Sequence, residues 1–416
     1  MKKNLNPARG MRDFLPSEQK TRDYVERKII DVYTRHGFHL IETPVVENIE
    51  NLLGSQGGEN LKLIYQILKR GNKLNLDQPN LTTDDIVELG LRYDLTIPLS
   101  RFYCNNRHDL PSLFKSIQVG NVFRAERSQK GRYRSFKQCD IDIIGNASID
   151  SEIELLTVSA KALLSLEVSR FEIKINDRRI LRDVILYCGF EHNEVENICI
   201  TLDKLDKIGL SGIEKELRGK NYPDLAISKI LKAMTSINQK GLPSLYELGV
   251  AENIISEIQK LVDTVNELSN GDYQAHYDFT LVRGMGYYTG PIFEIVYKDL
   301  GYSIAGGGRY DKMIGDFIGE DIPAVGFSIG FERLVNQLIE EGFNLSNTAS
   351  LVLIYDDADS FVEVFSKADA LRSKGHSVSI MPRAKKLNKQ LSQLKAMGYN
   401  KFCVMSDLDD TIKSID

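Results

Sequence analysis

The chain has 416 residues, 42% of them hydrophobic and 27% charged, and a formal net charge of −5. That length exceeds what one hydrophobic core usually organises, so two or three domains are expected, and the ordinary globular composition excludes a disordered, collagenous or fibrous chain. The acidic balance excludes a general polyanion binder, because such affinity rests on Lys and Arg neutralising phosphates; any nucleic-acid contact must be local.

No apolar stretch approaches a bilayer span, and the opening MKKNLNPARGMRDFLP lacks the apolar core of a secretory signal, so a cytoplasmic protein without membrane contact is expected. Cys104, Cys139, Cys188, Cys199 and Cys403 lie far apart with no CxxC spacing, which indicates reduced thiols and neither a zinc knuckle nor a disulfide framework.

Val25, Ile29, Val32 and Tyr33 recur at helical spacing between Ser17 and His36, with Ser17 as the cap and Gly37 as the stop. FHLIETPVVEN follows, a β-rich run that Pro44 confines to an edge or an interface. SIQVGNVFRAE and SFKQCDIDIIG flank the basic loop SQKGRYR and read as a β-hairpin with a long tip. A helix over 152–167 and the strand FEIKIND, ending at Asp177, come next. The stretch to about Asn270 is mostly helical. Strands resume from Phe279 through LVRGMGYYTGPIFEIVY and YSIAGGGRYD, and PAVGFSIGFERLVNQLIEE reads as a strand feeding a helix. After an Asn/Ser linker near Asn347, LVLIYDD, HSVSIMP and KFCVMS alternate with helical runs, predicting a small, mostly parallel α/β domain.

Several of these segments carry residues suited to chemistry. Arg124, Arg127, Lys130, Arg132, Arg134 and Lys137 put six cations within fourteen residues around the hairpin tip. Arg forks match phosphate oxygens and Lys supplies a mobile point charge, so the cluster suits a triphosphate or an RNA backbone, or else is a solvated basic loop. Gln138 and Asp142 share strand parity and one sheet face, and the same parity holds for Asp94 and Thr96 in LRYDLTIPLSRF. Such a face can receive a polar ligand, although cross-strand polar pairs on open sheets are common. Arg283 precedes a Gly-Met-Gly segment and Tyr287-Tyr288, and AGGGRYD repeats the glycine theme, either to admit a ligand against the backbone or to make a tight turn. In VGFSIGFERL, Arg333 sits at a strand-to-helix junction, where it can meet an anion or lie on the surface.

Taken together, these segments resemble class II aminoacyl-tRNA synthetases, and specifically the histidyl-tRNA synthetase family, over nearly the whole chain. ETPVVEN with its preceding helix resembles the first class II signature, NVFRAERSQKGRYRSFKQCDIDIIG the second and VGFSIGFERL the third. LVRGMGYYTGPIFE and AGGGRYD resemble the two histidine-specific signatures. The resemblance implies an α+β fold: an antiparallel-sheet catalytic core over 1–177 and 271–340, a helical insertion over 178–270, and an anticodon-binding-like βαβαβ domain over 347–416. It implies ATP-dependent activation of L-histidine to its adenylate, then transfer to the 3′ end of tRNA(His), by a homodimer formed through the first signature.

Residue by residue, the resemblance assigns Arg124 to the α-phosphate and the histidine carboxylate. Arg283 would meet the same phosphate from the opposite side, where this family uses an arginine in place of a catalytic metal. Arg333 would hold the γ-phosphate, Phe136 stack on adenine, Glu126 read its amino group and Arg132 cradle the triphosphate. Asp94, Thr96 and Gln138 would hold the ammonium and carboxylate of histidine; Asp142, Tyr287 and Tyr288 would surround the imidazole. Gln129, Lys130 and Arg132 would face the tRNA acceptor end, and Arg383, Lys385, Lys386 and Lys389 give the C-terminal domain local positive charge. ATP enters with Mg2+ as a substrate complex, with no protein-ligated metal expected.

Three departures from the family pattern stand out. Gly286 occupies a position where many members carry an acidic residue, Asp94 replaces a longer Glu, and after KFCVMS the chain lacks the further helix-and-strand material of the family. Two rivals share much of the resemblance. The regulatory subunit of ATP phosphoribosyltransferase, a histidine-sensing module, lacks the anticodon domain and tends to lose the ATP-handling arginines. A synthetase paralogue would load another acceptor.

Overall fold

The computed structural model describes residues 4–54, 58–77, 79–127, 132–282, 286–297, 302–343, 350–407 and 411–415. Its strands are β1 (His39–Leu40), β2 (Val46–Asn48), β3 (Gln66–Leu68), β4 (Val87–Leu91), β5 (Phe114–Phe123), β6 (Ser135–Ile144), β7 (Phe171–Asp177), β8 (Gln274–Tyr277), β9 (Pro291–Tyr297), β10 (Tyr302–Arg309), β11 (Ala324–Gly330), β12 (Ser350–Tyr355), β13 (Ser377–Pro382), β14 (Lys401–Val404) and β15 (Lys413–Ser414). The chain divides into two compact units, one comprising residues 1–13 and 25–336 and the other residues 14–24 and 337–416.

The larger unit is built on an eight-stranded sheet in the order β1-β5-β6-β11-β10-β9-β7-β8. Its six inner strands are antiparallel throughout, and a parallel strand closes each edge. The sheet is therefore mixed at its margins and antiparallel where the expected core lies. Ile141 and Ile143 on β6, Ile173 and Ile175 on β7, and Val325, Phe327 and Ile329 on β11 all have 2% exposure or less, so each of these strands has one apolar face turned to the core. The helix Asp150–Leu164 contributes Leu155, Leu156, Ala162 and Leu163 to the same interior.

Pro44 divides FHLIETPVVEN into two short edge pieces. β1 borders the large sheet, whereas β2 joins a separate three-stranded sheet in the order β2-β4-β3. The opening helix runs from Pro16 to Arg35 and ends against Gly37, whose φ of 81° suits the left-handed turn that closes it.

Between β7 and β8 lie five α-helices, Arg178–Tyr187, Val195–Leu202, Leu205–Gly219, Asp224–Lys240 and Glu252–Leu268. The first is started by Asp177, whose carboxylate accepts the backbone N–H of Arg179 at 2.7 Å. Ile180, Leu181, Val184 and Ile185 form its buried stripe. β7 and β8 are nevertheless direct neighbours and run parallel, so the helices are one long crossover between adjacent strands.

The smaller unit has the sheet order β13-β12-β14-β15, with helices Phe361–Ser373 and Leu387–Ala396 as crossovers. Leu351 and Leu353 pack with Val364, Ala368 and Leu371 of the first helix, while Val352 and Ile354 face the other way toward Leu394. That two-sided burial explains why LVLIY is continuously apolar. β15, an antiparallel pair of residues beside β14, adds to the expected βαβαβ alternation. Among the described residues, no helix is long and apolar enough to cross a membrane.

Candidate active site

Strands β6, β11 and β10 form the floor of a cleft of about 580 Å³ on the larger unit. Eleven residues named from the sequence line it: Asp94, Thr96, Arg124, Glu126, Arg132, Phe136, Gln138, Asp142, Tyr287, Tyr288 and Arg333. Arg283, Gln129 and Lys130 lie outside the described residues.

Strand parity places Gln138, Asp140 and Asp142 on the cleft face of β6. Opposite them on β11 stand Gly330, Ser328 and Gly326. A side chain at 326 would run into the Asp142 carboxylate and come within 3.1 Å of the Tyr310 ring; one at 308 would meet Pro291 O and the Tyr288 ring at 2.8 Å. Glycine is needed at these two positions so that carboxylate and aromatic groups can reach the floor.

Arg124 is held where the hairpin opens. Its Nε donates to the Tyr93 carbonyl at 3.2 Å, and its guanidinium lies 4.3 Å from the Tyr93 ring centroid and 5.1 Å from that of Phe136. Two aromatic faces thus fix the plane of a permanently charged fork. Arg333, in the first turn of the helix Phe331–Glu340, donates to the Ser303 carbonyl at 2.6 Å and lies 5.7 Å from the Tyr302 ring. Arg132 and Glu126 pair loosely at 3.8 Å near the rim. The six cations of the hairpin do not act as one cluster. Lys137 pairs with Glu26 at 2.5 Å and Arg134 donates to the Glu126 carbonyl at 2.9 Å, leaving Arg124 and Arg132 as its cleft-lining members among the described residues.

The other end of the cleft is rich in acidic and phenolic groups. Tyr310 donates its hydroxyl to Asp142 Oδ1 at 2.7 Å, and the rings of Tyr287 and Tyr288 meet at 4.8 Å. Burial pushes the Asp142 carboxyl up to about 7; the Tyr310 hydrogen bond opposes that rise and the Asp94 charge adds to it. Asp140 is also held well above the usual carboxylate range, by burial first and by the charge of Asp142 second. Burial likewise raises the Tyr287 hydroxyl, which faces Tyr288, Asp94 and Thr96.

One expectation about local structure is corrected. Asp94 and Thr96 were assigned a common face on the assumption of an extended chain, but the segment leaves β4 at Leu91 and enters the helix Thr96–Asn106. Asp94 Oδ1 accepts the backbone N–H of Ile97 at 3.1 Å, the hydrogen bond that starts this helix. Both side chains still line the cleft, brought there by a helix start instead of by strand alternation.

Sequence reasoning missed Asp140, Tyr310, Tyr93 and Ser328, all of which line the cleft. Asp140 shares the parity already noted for Gln138 and Asp142, so its signal was present. Tyr310 was inside AGGGRYD, where the glycines drew attention from the residue that follows them. Arg309 of that same run serves packing: its Nε and Nη2 grip Glu152 at 2.6 and 2.8 Å, and Glu152 is fully buried.

The sequence and the fold that carry this cleft have counterparts in known proteins. Residues 10–334 match the family profile described as histidyl-tRNA synthetase. A histidine–tRNA ligase from Leifsonia xyli subsp. xyli is 40% identical, with 99% of this chain and 97% of that protein covered. The crystal structure of histidyl-tRNA synthetase from Nostoc sp. PCC 7120 superposes with a TM-score of 0.78 at 28% identity, covering 96% of this chain and 91% of that one. A structure described as an ATP phosphoribosyltransferase regulatory subunit/histidyl-tRNA synthetase from Bacillus halodurans C shares the fold, with a TM-score of 0.78 at 20% identity over 98% of this chain and 100% of that one. On the profile match and the full-length identity, the chain belongs to the histidyl-tRNA synthetase family.

Proposed function

We propose that this chain, an aminoacyl-tRNA ligase, activates L-histidine with ATP and transfers it to tRNA(His) through the cleft described above. The histidine carboxylate attacks the α-phosphorus of ATP, pyrophosphate leaves, and histidyl-adenylate forms. A ribose hydroxyl at the tRNA 3′ end then attacks the adenylate carbonyl and AMP leaves. The first step needs little proton transfer from the protein, so alignment and compensation of phosphate charge supply most of its acceleration; in the second, the hydroxyl proton passes to the departing AMP phosphate.

In this reading Arg124 bridges the α-phosphate and the histidine carboxylate, held in plane by Tyr93 and Phe136. Arg333 holds the γ-phosphate, Arg132 the triphosphate, and Phe136 and Glu126 the adenine. Arg283 contacts the α-phosphate from the other side. Asp94, Thr96 and Gln138 receive the amino-acid backbone, and Asp142, Tyr287 and Tyr288 the imidazole. A pocket of buried hydrogen-bonding groups is left unpaired by Phe or Leu, so histidine is selected at this site. ATP arrives with Mg2+ as its substrate complex. Gln129 and Lys130 face the acceptor end of the tRNA, the smaller unit contacts the anticodon, and the enzyme works in the cytoplasm as a homodimer. Residues 1–177 and 271–340 act as the catalytic domain, 178–270 as the insertion and 347–416 as the anticodon-binding-like domain.

The observation that carries this reading is the convergence of Arg124 and Arg333, 209 positions apart, on one cleft that ends in Asp142 and two tyrosines. The same arginines, with a C-terminal α/β unit, favour a ligase over a histidine-sensing regulatory subunit. Histidine-dependent exchange of pyrophosphate into ATP, followed by charging of tRNA(His), tests it. Exchange without charging would point to a paralogue with another acceptor, and no exchange would overturn the ligase reading.

A further inference from the structure

Pro44 separates β1 from β2, and the carbonyls of Thr43 and Val45 on either side of it are both engaged by one residue, Arg92. Its backbone N–H donates to Val45 O at 2.9 Å and its Nη1 to Thr43 O at 2.8 Å. Arg92 also reaches β5: its carbonyl accepts the N–H of Phe123 at 3.0 Å, and its Nε donates to Asn121 O at 2.7 Å. The residue is 5% exposed, and the negative charges of Asp140, Glu42 and Glu47 oppose the cost of burying its guanidinium.

β5 is shaped to receive that guanidinium. A side chain on Gly120 would run into Arg92 Nη2, so glycine is required where the fork lies against the strand. A planar fork of donors spans two carbonyls on separate segments, whereas a lysine ammonium is a single point and does not.

The next residue, Tyr93, carries Arg124. Its carbonyl accepts from Arg124 Nε at 3.2 Å, and its ring lies 4.3 Å from that guanidinium. Beyond Tyr93 the chain has anchors of its own. Asp94 Oδ1 accepts from the Ile97 N–H at 3.1 Å, and Gln118 Nε2 donates to the Leu95 carbonyl at 2.9 Å. Neither bond involves Arg92, so its fork bears on the arginine side of the cleft and not on the start of the helix.

We propose that Arg92 is a positioning residue for adenylate formation: its fork ties Thr43 to Asn121, and the tie sets Tyr93 and, through it, the placement of Arg124. This rests on the proposed function, in which Arg124 bridges the α-phosphate and the amino-acid carboxylate. A displacement of such a group by about 1 Å costs on the order of 100-fold in rate.

Two variants test this from opposite sides. Arg92→Lys keeps the charge and gives up the fork; Gly120→Ala keeps the arginine and pushes its Nη2 away from β5. Histidinol has the imidazole and the amine but no carboxylate for Arg124. Calorimetry with histidinol therefore counts folded sites and reports whether the rest of the pocket is intact. In pyrophosphate exchange, each variant lowers kcat per folded site on the order of 10- to 100-fold. The histidinol Kd stays within about threefold of wild type, because the loss falls on the transition state and not on pocket binding. An unchanged kcat per folded site in either variant overturns the proposal. So does a histidinol Kd that weakens as much as kcat falls, or loss of histidinol binding in both variants, since Arg92 would then hold the fold at large. Absence of histidine-dependent exchange in the wild type would instead overturn the ligase reading itself.

Discussion

Tyr310→Phe removes one hydroxyl and leaves the ring, and its effect can be worked out from the Tyr310–Asp142 hydrogen bond of 2.7 Å. That bond opposes the upward push of burial on Asp142, whose carboxyl is at about 7. A hydrogen bond to a charged group contributes about 1.5–3 kcal/mol, and one pKa unit is about 1.4 kcal/mol, so its loss moves Asp142 upward by roughly 1–2 units. If the ionised carboxylate accepts the imidazole N–H, affinity falls as pH drops through the Asp142 pKa. At pH ~7.5 the wild type is roughly three-quarters ionised and a variant shifted by ~1.5 units roughly one-tenth ionised, so histidine KM rises roughly eightfold. By pH ~9.5 both are mostly ionised and the difference closes to less than about 1.5-fold. The assay is the ratio of histidine KM in variant and wild type across this range, which cancels the substrate's own titration. A ratio that stays constant with pH, or an equal change in the KM for ATP, would refute the assigned role of the pair.

Gly326→Ala should drive a methyl group against the Asp142 carboxylate and raise histidine KM by about tenfold, while the chain stays folded, since overpacking costs about 1–3 kcal/mol; an unchanged KM would show that Asp142 can move aside. Glu152→Ala leaves the buried Arg309 guanidinium with Asp311, at 3.1 Å, as its anionic partner among the described residues, and should lower stability by about 3–5 kcal/mol in urea unfolding. A loss below ~1 kcal/mol would mean that water enters to solvate the arginine. Arg283→Ala should collapse adenylate formation with a smaller effect on histidine binding, because its charge would act mainly on the developing phosphate charge; equal loss of both would count against that role.

Much of this was legible in the chain because period and pairing agreed. FEIKIND, SFKQCDIDII and AVGFSIG each alternate, and each is an inner strand of the large sheet. LVLIY lacks alternation because both of its faces are covered. Legibility failed where elements were too short to carry a period. β3 and β4, which complete the small sheet, were not anticipated, nor was the helix Asp311–Ile318 that follows AGGGRYD. Asp94 was misread for a related reason: a single carboxylate can cap a helix or face a ligand, and strand parity does not distinguish the two. The cleft was assembled from signatures whose residues lie in distant segments, and Asp140 and Tyr310 were overlooked inside those signatures.

The parallel pairing of β7 with β8 sets a limit on how the helical segment between them can vary. Antiparallel neighbours can be joined by two residues, but here the polypeptide must travel back along the full strand before it can re-enter, which takes about a dozen residues. A trimmed version with a tight turn in place of the helices would force β8 to reverse direction and lose its register with β7. β8 is the outermost strand on that side, but the first and last of the five helices also pack against β7, and the first against β9, so a change in those two helices reaches the inner strands. Above that minimum, variation in sequence and size is therefore confined to positions away from these packed faces, at a sheet margin distant in strand order from the β6–β11 pair that carries the pocket floor.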